Sequence, residues 1–137
     1  MANFKNIVEI CRESLPDGVR FIHGRLMDFS NSYTGTYPLV TLLPFTIQDA
    51  RSTPDATFDF ATLVVGFWKE DSPDSTPEQR ENIISEMDLL SDFFIDNLED
   101  NLGIRLTNIQ KEPQYLMFQG TLSGMAIQFR IDIIRPC

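Results

Sequence analysis

The segment from Thr76 to Gly103 constrains this chain more than any other. Thr76 suits an N-cap, Pro77 the first helical position and Glu78 the first turn, and Gln79 completes a capping box. Gly103 supplies a C-terminal stop. Between these signals the spacing predicts a helix from about Pro77 to Asn101, on the order of 37 Å long at 1.5 Å per residue. Ile83, Ile84, Met87, Leu90, Phe94, Leu98 and Leu102 form its apolar stripe, which Leu89, Phe93 and Ile95 are expected to widen. A stripe of that length must be buried against something, and the flanking segments read as strands.

Before it, Phe4, Ile7, Val8, Cys11 and Leu15 recur at helical spacing and end at Pro16-Asp17-Gly18, which predicts a short amphipathic helix. Val19–Gly24 reads as a short strand, and Tyr37–Pro44 as an apolar strand bracketed by prolines. Thr57–Lys69 is the strongest strand signal. Both of its alternating sets turn apolar from Ala61 on, so it is expected to be central and covered on both faces. After the long helix, Ile104–Asn108 reads as a short strand. Tyr115–Thr121 and Met125–Ile134 read as a hairpin across Leu122-Ser123-Gly124. In the last strand Met125, Ile127, Phe129, Ile131 and Ile133 are expected to face inward, with Ala126, Gln128, Arg130 and Asp132 outward.

The order α-β-β-β-α-β-β-β implies an α+β fold: a mainly antiparallel sheet covered by one long helix and a short N-terminal helix. At 137 residues the chain is expected to form a single domain, 1–137. Two segments, 28–36 and 48–56, read as long polar loops, a feature that tends to accompany function or ordering by a partner. Phe29, Tyr33 and Phe45 are aromatic residues in or beside them, suited either to docking on a neighbour or to local packing.

Eleven Lys and Arg against 20 Asp and Glu give a net charge of −9, which argues against gripping nucleic acid or an anionic membrane surface. The cations are scattered; Arg20, Arg25, Arg105 and Arg130 are those best placed for folding to gather into a patch. No stretch approaches the roughly 20 apolar residues of a membrane span, and the N-terminus does not read as a signal peptide. Cys11 and Cys137 make a poor disulfide framework, so a reducing cytoplasm is the expected place of synthesis.

The chemistry-bearing residues form no recognised catalytic or metal motif. His23 is the one candidate general base and reads better as a strand-end histidine. Cys11, on an apolar helix face, reads as a small core residue. Glu70, Asp71 and Asp74 lack the glycine and closing glutamate of a calcium loop and read as solvated charges. Glu78, Glu81, Glu86 and Asp88 lack the Glu-x-x-His of a di-iron site and read as a solvated helix face. No enzyme is expected, and no catalytic, cofactor-binding or metal-binding residue is assigned. A ligand pocket lined by Phe beneath the long helix is the enzyme-like or carrier alternative.

The layout nevertheless resembles the small neck and tail proteins of tailed bacteriophages: the tail-terminator, tail-completion and head–tail joining families. The matching features begin with the N-terminal amphipathic helix and Tyr37-Pro-Leu-Val-Thr-Leu-Leu-Pro44. Ala61-Thr-Leu-Val-Val-Gly-Phe-Trp68 with its acidic Ser/Pro exit follows, then the helix from Pro77-Glu-Gln-Arg to Leu98. Gly120-Thr-Leu-Ser-Gly124 finally leads into the last strand. The resemblance implies a non-enzymatic virion subunit, made in the host bacterial cytoplasm, that closes into a homo-oligomeric ring around the DNA channel. Its partners would be neighbouring virion proteins such as the connector, tail tube or other ring proteins, with DNA passing through but not gripped. A soluble acidic adaptor or chaperone-type protein-binding module is the alternative that the same features allow.

Overall fold

The computed structural model describes residues 4–24, 38–49, 58–117 and 121–134. The long helix, α2 (Pro77–Leu102), is built from both ends as its sequence dictates. Thr76 adopts an extended backbone and its hydroxyl accepts from the Gln79 amide at 3.2 Å, while the Gln79 side chain accepts from the Thr76 amide at 2.9 Å. At the other end Gly103 takes φ 70°, a left-handed conformation suited to glycine, and donates to the Glu99 carbonyl at 2.8 Å.

The remaining elements are α1 (Phe4–Glu13), β1 (Arg20–His23), β2 (Leu39–Leu42), β3 (Gln48–Asp49), β4 (Phe58–Glu70), β5 (Thr107–Leu116) and β6 (Leu122–Ile134). The fold is α+β, with the expected mainly antiparallel sheet, long helix and short N-terminal helix. Strand order is β1-β2-β4-β6-β5, with β3 paired to the first part of β4. Among the described residues only β1 and β2 run parallel, and every other pairing is antiparallel. β4 and β6 form the spine, in register from Phe58 opposite Ile134 to Glu70 opposite Leu122.

Of the inward set of β6, the side chain of Ile133 lies outside what is described, and Met125, Ile127, Phe129 and Ile131 are buried beneath the helices as the alternation predicts. They meet Ala61, Leu63, Val65 and Phe67 of β4 and Met87, Phe94, Ile95 and Leu98 of α2. The Phe94 ring stands 5.5 Å from Phe67 and 6.3 Å from Phe129, centroid to centroid, and so joins helix to both spine strands. Helix α1 buries Ile7, Val8 and Cys11 in the same core. Its exit is tied to α2 by the side-chain amides of Asn97 and Asn101, which donate to the Ser14 carbonyl at 3.4 Å and the Ser14 hydroxyl at 3.1 Å.

Four details differ from the sequence expectation. The strands expected over Ile104–Asn108 and Tyr115–Thr121 are one strand, β5, and the hairpin turn precedes Leu122 instead of occupying Leu122–Gly124. Lys111-Glu112-Pro113-Gln114 looks like a loop because β5 is a sheet edge, where charge and proline are tolerated. A bulge between Thr107 and Gln110, with Asn108 at φ 54°, bends its start. Gln48 and Asp49, expected within a loop, pair with Phe60 and Asp59, whereas loop 28–36 and the remainder of 48–56 lie outside the described residues. Finally, β4 is central but fully covered on one face only: on the other, Thr62 is exposed and Val64 half-buried, and cover is complete only at Gly66 and Trp68.

Candidate interaction surface

The residues singled out for chemistry are dispersed. His23 ends β1, half-buried, its ring 6.0 Å from that of Phe45. Burial, helped by the Arg12 guanidinium, holds its pKa below the ordinary 6.5. Phe45 itself packs on the core, so local packing accounts for this aromatic, while Phe29 and Tyr33 lie outside the described residues. Cys11 is enclosed, and burial pushes its thiol up to about 12, the state of an unreactive core residue. Among the described residues no group of His, Cys, Asp and Glu is arranged to hold a metal ion.

Asp71 overturns the expectation of a solvated acidic loop. Glu70 and Asp74 are exposed, but no part of the Asp71 side chain reaches solvent. Its Oδ2 accepts from Arg80 Nε at 2.8 Å and from the Ser123 hydroxyl at 2.6 Å, and its Oδ1 accepts from the Ser72 amide at 2.7 Å. Ser123 Oγ in turn accepts from the Leu116 amide at 2.8 Å. Burial alone would raise this carboxyl; hydrogen bonds from Ser123, Ser75, Arg80 and the Ser72 amide outweigh it and hold the pKa well below the usual carboxylate range. One carboxylate thus fastens the exit of β4, the start of α2 and the β5–β6 hairpin together. The role is structural.

The unsatisfied part of the molecule is the outer side of α2 and β5. Among the described residues four large apolar side chains are exposed: Leu89 and Phe93 on α2, and Ile109 and Tyr115 on β5. Leu89 is 70% exposed, in the middle of the solvent face, where the apolar stripe was expected to widen. Ile109, Lys111 and Tyr115 share a face of β5, and Lys111 lies opposite the buried Ile127, so that face is the one turned toward the helices. Lys111 Nζ donates to Asp88 at 2.8 Å and also to Asp92, which places β5 alongside α2 at the turn carrying Leu89 and Phe93. On the far side β5 is the last strand of the sheet among the described residues.

This surface is acidic. α2 carries eight carboxylates and one cation, Arg80, which is committed to Asp71. Asp88, Asp92, Asp96 and Asp100 follow one another at i, i+4 spacing, a stacked row beside Leu89 and Phe93. Sequence reasoning stopped at Glu86 and Asp88; the signal it missed was the continued four-residue period. Lys111 pairs with the first two members of the row and offsets one of their two charges, and among the described residues no cation pairs with Asp96 or Asp100. No basic residue occupies the last turn, so these charges sit at the negative end of the helix dipole. Asp96, Glu99 and Asp100 line an open concavity of about 530 Å³ there, together with Arg105.

A second concavity lies on the opposite sheet face, not beneath the long helix, where the carrier alternative would put a ligand pocket. Trp68 lies back along its own strand: its Nε1 donates to Thr41 Oγ1 at 2.9 Å, and a Cβ on Gly66 would fall 2.5 Å from that nitrogen. Glycine at 66, paired with Ala126, leaves an apolar dent of about 130 Å³ lined also by Val64, Leu43 and Met117. Sites for small-molecule ligands usually span about 300–1,000 Å³, so this dent has room for one side chain rather than a substrate.

The cations that folding was expected to gather are spread out. Arg20 on β1 and Arg130 on β6 stand three strands apart and six residues out of line, because Arg20 is level with Gly124 through Leu39 and Trp68, and Arg105 lines the concavity at the end of α2. Arg130 is engaged with Asp132 at 2.9 Å and lies over the Phe60 ring at 4.2 Å. Arg25 lies outside the described residues. A scan of the chain against protein-family models and a search of curated proteins found no match.

Proposed function

We propose that this chain is a non-enzymatic structural subunit of a bacteriophage virion, built into a ring of the neck or tail around the DNA channel. The observation that carries the reading is the outer face of α2, where Leu89 and Phe93, two of the four exposed large apolar side chains of the described residues, lie one turn apart; the other two, Ile109 and Tyr115, are on β5. Isolated apolar residues on a surface need no explanation, but two large ones adjacent on one helix face mark a place for another protein. The layout of the chain supports the virion setting, and net charge −9 suits a channel wall that lets DNA slide. In this reading the α2–β5 surface seats a neighbouring virion protein, while copies of the chain close the ring through other surfaces.

Size-exclusion chromatography with light scattering, followed by electron microscopy, tests the proposal. Rings of the purified chain, or its presence in the neck or tail of virions, are the expected outcome. A monomer that is found in no virion and forms a stable complex with one soluble protein would replace the ring by the adaptor reading. Fluorescence anisotropy with duplex DNA checks the channel wall: no measurable binding is expected near 150 mM salt, and micromolar binding at that salt would refute repulsion.

A further inference from the structure

We infer that the occupant of the outer α2 face is a basic amphipathic helical segment of another protein: apolar residues on one side, lysines and arginines beside them. The inference rests on the reading of the α2–β5 surface as a docking site, and it names the chemistry of the partner.

Three observations point the same way. Leu89 and Phe93 are one turn apart and form an apolar ridge along the helix axis, the shape that a second helix packs against. The ridge is bordered by Asp88, Asp92, Asp96 and Asp100, so a partner lying along it faces negative charge that Lys111 offsets in part at the first two members. Among the described residues Asp96 and Asp100 have no ion-pair partner, and Arg105 is the one cation lining the concavity beside them. Like charges at i, i+4 oppose helix formation, and Asp96 and Asp100 also oppose the helix dipole; Lys111 relieves only Asp88 and Asp92. Cations on an incoming helix supply what is missing, and its apolar side covers Leu89 and Phe93. A second copy of this chain is the poorer occupant, because it would bring the same acidic face to a symmetric contact.

The experiment uses the full chain and two labelled 18-residue peptides made only of leucine and lysine. One is ordered as an amphipathic helix; the other has the same composition scrambled to remove the apolar stripe. Anisotropy titrations are run at 100 and 500 mM salt. Micromolar binding of the amphipathic peptide is expected, at least tenfold weaker for the scrambled one and weaker at high salt. Leu89→Ser with Phe93→Ser, and separately Asp96→Asn with Asp100→Asn, should each weaken binding at least tenfold. Glu9→Gln with Glu13→Gln on α1 should leave it unchanged. All these positions are exposed, and circular dichroism melts verify folding. Equal binding of both peptides, or equal loss in the α1 variant, would reduce the effect to general charge attraction and overturn the inference. Overturning it too would be the absence of binding, or a self-association that Leu89→Ser with Phe93→Ser abolishes. Light scattering of the same samples without peptide reports on the ring independently, so failure of the ring and failure of the partner chemistry are distinguishable.

Discussion

Phe93 and Phe94 are neighbours in the chain with opposite fates. Phe94 is completely buried between Phe67 and Phe129, whereas Phe93 is 46% exposed on the outer side of the same helix. Consecutive helical positions differ by about 100°, so one residue of phase decides which ring enters the core. Apolar character alone therefore does not tell packing from recognition; position relative to the sheet does. The sharpest way to break the comparison is to truncate each ring. Phe94→Ala should cost about 3–5 kcal/mol, the usual range for emptying an enclosed aromatic site. Phe93→Ala should stay within about 0.5 kcal/mol of the parent in urea unfolding. Similar losses in both would mean that the outer face is packed within the subunit and is not a docking site.

Carboxylates divide in the same way. Asp71 is enclosed and fully hydrogen-bonded; Asp96, at the other end of α2, is exposed and without a protein cation among the described residues. Asp71→Ala leaves the Ser123 hydroxyl and the Ser72 amide without their acceptor and leaves Arg80 only its bond to the Ser72 carbonyl at 2.7 Å. It should cost near the lower end of about 3–5 kcal/mol, because the Arg80 side chain keeps a fifth of its surface in water. Asp96→Asn should be neutral or slightly stabilising. A pH series separates the two carboxylates further. The Asp71 pKa is lower in the folded than in the unfolded chain, so its contribution is complete above about pH 4 and is lost as the pH falls below that. Asp71→Asn should therefore flatten the acid limb of stability against pH, and Asp96→Asn should not.

This division also explains what was legible in the sequence. The caps of α2 were readable because Thr76, Gln79 and Gly103 act within a few residues of themselves. The inward set of β6 was readable because strand alternation is local. Asp71 was not, because its partner Ser123 lies 52 residues away, and nothing near Asp71 signals that its loop will be covered. Leu89 and Phe93 were misassigned because a helix with apolar residues at 89, 90, 93, 94 and 95 has no single phase until its sheet fixes one. β5 was broken in two because the polar composition of an edge strand imitates a loop. The candidate surface was hidden for these reasons together: its apolar half looked like core, and its second element looked like a turn.

A smaller effect is expected on the open sheet face, where the single Trp of the chain reports directly. Thr41→Val removes the acceptor for Trp68 Nε1 while keeping the shape of the side chain, and should cost about 1–2 kcal/mol. Gly66→Ala should displace the indole, because the added methyl cannot coexist with it at 2.5 Å. Both variants should change tryptophan emission and leave binding of the leucine–lysine peptide unchanged. Loss of peptide binding in either would extend the docking surface through the sheet.

The smallest effect belongs to Lys111, and its sign is informative. Burial would lower the pKa of its ammonium, but hydrogen bonds and charge from Asp88 and Asp92 outweigh this and raise it. Its contribution is therefore complete at neutral pH and disappears only as alkaline pH passes through the raised value. The pairs are partly exposed, with 29% of the Lys111 side chain and 42% and 56% of its two partners in solvent, so Lys111→Met should cost less than about 1 kcal/mol. Most of that loss should vanish at 1 M salt, where screening acts within about 3 Å. The same substitution leaves all four aspartates of the row uncompensated beside Leu89 and Phe93. Stability should fall slightly while affinity for the basic amphipathic peptide rises, since the partner no longer competes with an internal cation for Asp88 and Asp92. Parallel loss of stability and affinity would show instead that Lys111 holds β5 in place for docking, and would move the centre of the surface from the helix to the strand.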